Sequence, residues 1–191
     1  MTEKLGQTPS QTVGPYFAMR IATGEEYVLP VPVGAERIVI SGQVLDGDDE
    51  PVPDALVETW QANPEGRYNH PDDRRDLTLD EGFSGFGRAK TEGGGFRIET
   101  VKPGLVPDPE GEPQAPHISV IIQARGMLNP VFTRIYFSDE PEANDHDLVM
   151  QRVPKQRRGT LIAKHVEGSD PTEYRFDIKL QGENETVFFD V

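Results

Sequence analysis

Apolar side chains in this sequence recur at every second position, in short runs separated by glycine, proline and aspartate, with no long stretch at helical spacing. Successive side chains of an extended chain point to opposite sides, so a period of two predicts strands with one dry face and one wet face. The clearest run comes late, where Tyr174, Phe176, Ile178 and Leu180 alternate with Arg175, Asp177, Lys179 and Gln181. Earlier, Ile38 and Ile40 oppose Val39, and that run reaches Val44 before Asp46-Gly47-Asp48-Asp49 supplies turn chemistry. In the segment 55–61, Leu56 and Trp60 share one face and Val57 takes the other. Phe96 and Ile98 mark a further strand, entered through the Gly93-Gly94-Gly95 turn.

The segment 118–123 is almost continuously apolar and predicts a central strand covered on both faces. In the strand that follows, Phe132, Arg134 and Tyr136 share one side, and Val131, Thr133, Ile135 and Phe137 the other. A short helical excursion is expected over 141–150, because Pro141 suits a first turn and Glu142 favours its positive end. The stretch 63–95, rich in charge and glycine, reads as a functional or interface loop, with Gly85 and Gly87 as points of close backbone approach. Residues 1–35 have no sustained period. They carry Pro9, Pro15, Pro30 and Pro32 with scattered Val13, Tyr16, Phe17 and Tyr27, as in an extended arm that packs on a partner; a disordered tail is the alternative. The expectation is an all-β protein: a mixed β-sandwich core with long loops over 36–191, behind an extended N-terminal arm over 1–35.

At 191 residues one substantial core is the default. The balance of 33 acidic against 19 basic residues gives a formal charge of −14 and repels nucleic acid and anionic membrane surfaces. Lys155, Arg157 and Arg158 are the nearest approach to a basic cluster, and a solvated turn explains them equally well. Without cysteine there is no disulfide framework, thiolate metal site or cysteine nucleophile. The first residues lack an apolar signal core, and no apolar stretch approaches the roughly 20 residues that span a bilayer. A soluble cytoplasmic protein is expected.

Phosphate-cradling loops, Gly-x-Ser-x-Gly elbows and His-Glu-x-x-His helices are all missing from the sequence. Metal chemistry would therefore fall to four histidines, five tyrosines and the carboxylates. His117 begins a strand and shares its face with residue 119, where a second histidine would complete a rigid pair; Ser119, a poor ligand, stands there. Tyr68 and His70 lie in the loop Gly66-Arg67-Tyr68-Asn69-His70, where a packed tyrosine and an exposed histidine are as economical as a polar site. His146, between Asp145 and Asp147, suits a solvated turn or short helix. The residues by themselves lead to an all-β protein with a possible polar pocket.

The sequence resembles the intradiol ring-cleavage dioxygenases, and within them the alpha-type subunits. The arm Gln7-Thr8-Pro9-Ser10-Gln11-Thr12-Val13-Gly14-Pro15-Tyr16-Phe17 carries the likeness, followed by Val52-Pro53-Asp54-Ala55-Leu56-Val57-Glu58-Thr59-Trp60-Gln61-Ala62. It continues through the Tyr68 loop, Gly85-Phe86-Gly87-Arg88, Lys102-Pro103-Gly104, Ala115-Pro116-His117-Ile118 and Phe132-Thr133-Arg134-Ile135-Tyr136-Phe137, over essentially the whole chain.

The resemblance implies a non-haem Fe(III) held by two tyrosines and two histidines in catalytic beta subunits. Carried over residue by residue, the first tyrosine falls on Tyr68 and the first histidine on His117. The second tyrosine falls on Val106 and the second histidine on Ser119. A ferric ion needs anionic oxygen donors, and neither replacement supplies one. Tyr68 and His117 are then remnants, and no metal or catalytic residue is expected in this chain. The resemblance further implies a heteromer with an iron-bearing beta subunit, which cleaves 3,4-dihydroxybenzoate with O2 to 3-carboxy-cis,cis-muconate. Arg134, Gly14 and Pro15 would bind substrate at the shared pocket; a purely architectural subunit is the alternative.

Overall fold

The computed structural model describes residues 6–14, 16–22, 24 and 26–190. Its elements in chain order are α1 (Tyr16–Ile21), β1 (Arg37–Leu45), β2 (Leu56–Trp60), β3 (Phe86–Lys90), β4 (Gly95–Val101), β5 (Val106–Pro107), β6 (Pro113–Gln114), β7 (His117–Gln123) and β8 (Val131–Phe137). They are followed by α2 (Pro141–His146), α3 (Leu148–Arg152), a 3-10 turn (Lys155–Leu161), β9 (Ile162–Val166), β10 (Thr172–Arg175) and β11 (Ile178–Lys179). Among these residues no helix is long and apolar enough to cross a membrane.

The strands form a mixed β-sandwich. On one side β1 pairs antiparallel with β4 and parallel with β10 and β11. On the other, β7 lies between β2 and β8, and β3 edges β2, all antiparallel. β9 joins the two sides: Ile162 and Ala163 run parallel to Tyr136 and Phe137 of β8, while residues 164–166 pair antiparallel with β10. Ile38, Ile40, Val44, Phe96 and Ile98 from one side meet Val57, Ile118, Val120, Ile122, Ile135 and Phe137 from the other in a single core. The predicted faces of β8 hold, since Ile135 and Phe137 enter that core.

Local chemistry explains the boundaries. Asp46 Oδ1 accepts from the backbone N–H groups of Asp48 and Glu50 at 2.9 and 3.0 Å, closing the turn after β1. Gly93 and Gly94, with φ of 58° and 86°, make the two-residue turn before β4. The helical excursion is two short helices separated by Asp147, whose side chain accepts from Met150 N and caps α3.

Three expectations change in detail. The run from Tyr174 to Leu180 is two strands, although Tyr174, Phe176 and Ile178 all stay buried at 2% exposure or less. Both pieces keep one register on β1, Ile40 with Tyr174 and Val44 with Ile178; between them the Asp177 carboxylate replaces a backbone acceptor for Gln43 N at 2.9 Å. The 63–95 stretch contains β3, which charge and glycine concealed: Gly87 and Ala89 face the core and Phe86, Arg88 and Lys90 face outward. A Cβ on Gly87 would lie 2.7 Å from both Leu29 Cδ1 and Thr59 Oγ1, so the close approach expected there is real. Finally, Ser119 and Ile121 of β7 are only half-buried, because a cavity lies over them.

The arm is not uniform. Leu29 is 1% exposed in the core, and its N–H donates to Glu99 O at 2.8 Å, so residues near 29 belong to the sandwich. Tyr16 and Met19 of α1 remain 76% and 63% exposed.

One close approach is a test of the packing. An added Cβ on buried Gly42 would sit 1.7 Å from Phe176 O and 2.9 Å from the Phe96 ring. Gly42→Ala is expected to destabilise the fold by about 1 to 3 kcal/mol, read as a lower urea midpoint at unchanged slope. An unshifted midpoint would contradict this packing of β1 against the β10–β11 break.

Candidate functional site

The outward face of the second sheet carries the site, because the β2, β7 and β8 registers line up its polar residues. Trp60 lies opposite Ser119, and Ser119 opposite Arg134. In the next position along the ladder His117 lies opposite Tyr136. Above this face the loop after β2 is organised by buried Asn63. Its Oδ1 accepts from Glu65 N and Arg67 N, its Nδ2 donates to Thr78 O and Asp80 Oδ2, and its backbone carbonyl receives Gly66 N and Gly104 N. Asn63 thereby ties the Tyr68 loop to the segment leading into Val106.

Tyr68 stacks on Trp60 with ring centroids 6.0 Å apart and planes 9° off parallel. Burial raises its phenol pKa, while the positive charges of Arg134 and Arg75 oppose that rise. Asp73 accepts the Tyr68 N–H at 2.8 Å and pairs with Arg75, whose hydrogen bonds hold its carboxyl well below the usual range. His117 is 4% exposed and donates from Nδ1 to Ala115 O at 2.8 Å. Burial first, and Arg134 second, hold the imidazole down to about 4 and therefore neutral at pH 7.

Arg134 is half-buried and anchored through one nitrogen: Nη1 donates to Gln114 Oε1 at 2.8 Å and reaches Tyr136 Oη at 3.4 Å. Gln114 arrives on the β5–β6 hairpin, opposite Val106. Tyr136 in turn donates to Asp147 Oδ1 at 3.1 Å, and that fully buried carboxylate also accepts from Ala115 N and Met150 N. Arg75, Arg88 and Arg125 each meet a carboxylate directly, whereas Arg134 forms no ion pair with any described residue.

Two cavities meet at Trp60. One, of about 610 Å³, is walled by Glu58, Ser119, Ile121, Phe132, Arg134 and Phe189. The other, of about 1000 Å³, is walled by Tyr68, His70, Asp73, Arg75, Val106 and Pro107. The structure thus gathers Tyr68, Val106, His117, Ser119 and Arg134 into one region. It does not bring Gly14 there: Gly14 lines neither cavity, and the neighbouring Thr12 Oγ1 accepts from Gly126 N at 2.8 Å, near the β7–β8 turn. Pro15 lies outside the described residues. His70 and His146 are exposed, and His146 Nδ1 donates to its own helix at Glu142 O. Gln114, Asp147 and Asn63 carry much of the geometry without any motif that announces them.

A ferric ion does not fit this donor set. Val106 is 4% exposed and wholly apolar, Ser119 offers a short neutral hydroxyl, and of the four positions that the family resemblance implies only Tyr68 and His117 carry a tyrosine or histidine. Among the described residues no group of three or more His, Asp or Glu side chains is arranged to hold a metal. What the site does offer is a half-buried guanidinium, held on Gln114 beside the aromatic rings of Trp60, Phe132 and Phe189.

This sandwich, with Tyr68 above one outward face and His117 on it, belongs to the intradiol dioxygenase family; the family model described as Dioxygenase matches residues 13–182. The chain is 43% identical to the alpha chain of protocatechuate 3,4-dioxygenase from Burkholderia cepacia, over 98% of both chains. The beta chain of the same enzyme from that organism is 39% identical over 81% of this chain and 68% of its own length. The crystal structure of 3-chlorocatechol 1,2-dioxygenase from Rhodococcus opacus 1CP shares the fold, with a TM-score of 0.64 at 21% identity over 91% of this chain and 71% of that one.

His117 gives the site a pH signature. Above its ordinary value of 6.5 the imidazole is neutral both folded and unfolded, and its contribution is complete. As pH falls from 6.5 toward 4, the unfolded chain takes a proton that the folded chain refuses, so stability drops. Between pH 7 and about 4.5, the native chain is expected to lose roughly 2 to 3 kcal/mol more than His117→Gln in urea unfolding. Equal losses would show that His117 is not buried as the neutral form.

Proposed function

We propose that this chain is the iron-free, alpha-type subunit of a heteromeric protocatechuate 3,4-dioxygenase and completes the substrate pocket of an iron-bearing beta subunit. The assembly would insert both atoms of O2 into 3,4-dihydroxybenzoate, opening the ring between its hydroxyls to give 3-carboxy-cis,cis-muconate. Fe(III) in the beta subunit would supply the chemistry that makes the catecholate reactive toward dioxygen. The observation that carries the reading is the pair Val106 and Ser119 where two ligands are expected, in a chain alike over its whole length to an alpha chain.

Arg134 is this chain's principal contribution. Holding Nη1 on Gln114 and Tyr136 leaves the Nε and Nη2 edge of the guanidinium for a carboxylate, and a half-buried cation without an ion pair is incomplete until an anion arrives. In this reading Gly14 and Pro15 approach substrate in the partner's site. Gly14 has a φ of 67°, a conformation L side chains rarely adopt, and its Cβ position is open, so the arm can present bare backbone there. The exposed Tyr16 and Met19 beside it are the surface the arm would bury on the beta subunit.

The test is the kinetics of Arg134→Ala alpha chain assembled with unaltered, iron-loaded beta chain, after equal assembly and iron content are confirmed. A loss of about 2 to 5 kcal/mol is expected, or roughly 30-fold or more in kcat/KM, with Arg134→Lys rescuing poorly. Unchanged kinetics in an intact complex would reject the pocket role and leave a purely architectural subunit.

A further inference from the structure

We propose that the Arg134 guanidinium is the built-in cation of this site, occupying the ground between Tyr68, His117 and residue 119 that a metal would need, and so excluding metal independently of the missing donors. This rests on the ligand positions that the family resemblance implies at Tyr68, Val106, His117 and Ser119, and its test needs neither partner nor substrate.

The placement rests on the sheet. Arg134 is the direct cross-strand neighbour of Ser119, so its side chain rises from the same face and beside the position of the lost donor. On one side of that pair stands Trp60, opposite Ser119 and stacked on Tyr68; on the other stand Tyr136 and His117, their ring centroids 5.9 Å apart. Tyr68, through Trp60, and His117, through Tyr136, therefore flank the Ser119–Arg134 pair. The guanidinium is also fixed, because Gln114 Oε1 and Tyr136 Oη hold Nη1, and Tyr136 is itself tied to Asp147.

Two consequences follow from a fixed cation in a half-buried site. A ferric or divalent ion entering between Tyr68 and His117 meets like charge there. Restoring ligands without removing the guanidinium should then fail, since new donors cannot both bind a metal and surround a cation already present. Removing the charge as well should open the site.

The experiment uses the full chain as Val106→Tyr/Ser119→His, with and without Arg134→Gln. Each folded variant is loaded with ferrous iron in air, desalted, and read by iron content and visible tyrosinate absorption. The variant that keeps Arg134 is expected to retain little iron and no band, and the triple variant at least roughly tenfold more iron, with the band. Equal uptake by the two, high or low, would overturn the proposal. In case tyrosine at 106 disturbs the hairpin, Ser119→His is compared with Ser119→His/Arg134→Gln and Ser119→His/Arg134→Lys by Co(II) titration. Only the Arg134→Gln form is expected to take up Co(II); uptake by the lysine form, or by Ser119→His alone, would sink the charge argument.

Discussion

The pairing of β7 with β8 sets everything above it. Its register places Ser119 beside Arg134 and His117 beside Tyr136 on the outward face, and sends Ile118, Val120, Ile122, Ile135 and Phe137 inward. Strand side chains alternate, so a slip of one residue in β8 would drive Arg134 into the core and set Ile135 on the cavity wall. A guanidinium enclosed there without a carboxylate would be far costlier than any loss of apolar contact. The dry face therefore fixes the position of the polar one, and the core and the site are two sides of one constraint.

The same logic explains what could be read from the residues. Alternation of Ile38, Ile40 and Val44, and of Phe132, Arg134 and Tyr136, reports which side chains share a face, and both sets fall on the faces expected, although Tyr136 is itself fully covered on the outward side. The interruption between β10 and β11 was not legible, because Asp177 keeps the alternating pattern while its carboxylate displaces a backbone acceptor. β3 was hidden for a related reason. Its inward positions are Gly87, which permits close approach to Leu29 and Thr59, and Ala89, and small residues give almost no hydrophobic signal.

Within the site, the residues that depart from the implied ligand pattern are easier to find than those that hold it together. Ser119 and Val106 stand out against a ligand pattern, and Arg134 stands out in an apolar strand. Gln114, Asn63 and Asp147 give no such contrast. Each acts through contacts distant in sequence, as where Gln114 reaches Arg134 across 20 residues and Asp147 receives Ala115 N across 32. In the sequence Asp147 is visible only as a neighbour of His146, yet it is the carboxylate that anchors Tyr136 and begins α3. Long-range polar contacts of this kind depend on the finished fold and leave no local period to read.

The location of iron in the assembly is the decisive property. Co-expression of this chain with an iron-bearing beta chain, followed by native mass spectrometry and metal analysis of the complex and of each separated subunit, locates it. A mixed assembly whose iron equals its number of beta chains is expected, with a colourless, iron-free alpha chain after separation. One tightly held ferric ion on the separated alpha chain, with a tyrosinate absorption band, would contradict it.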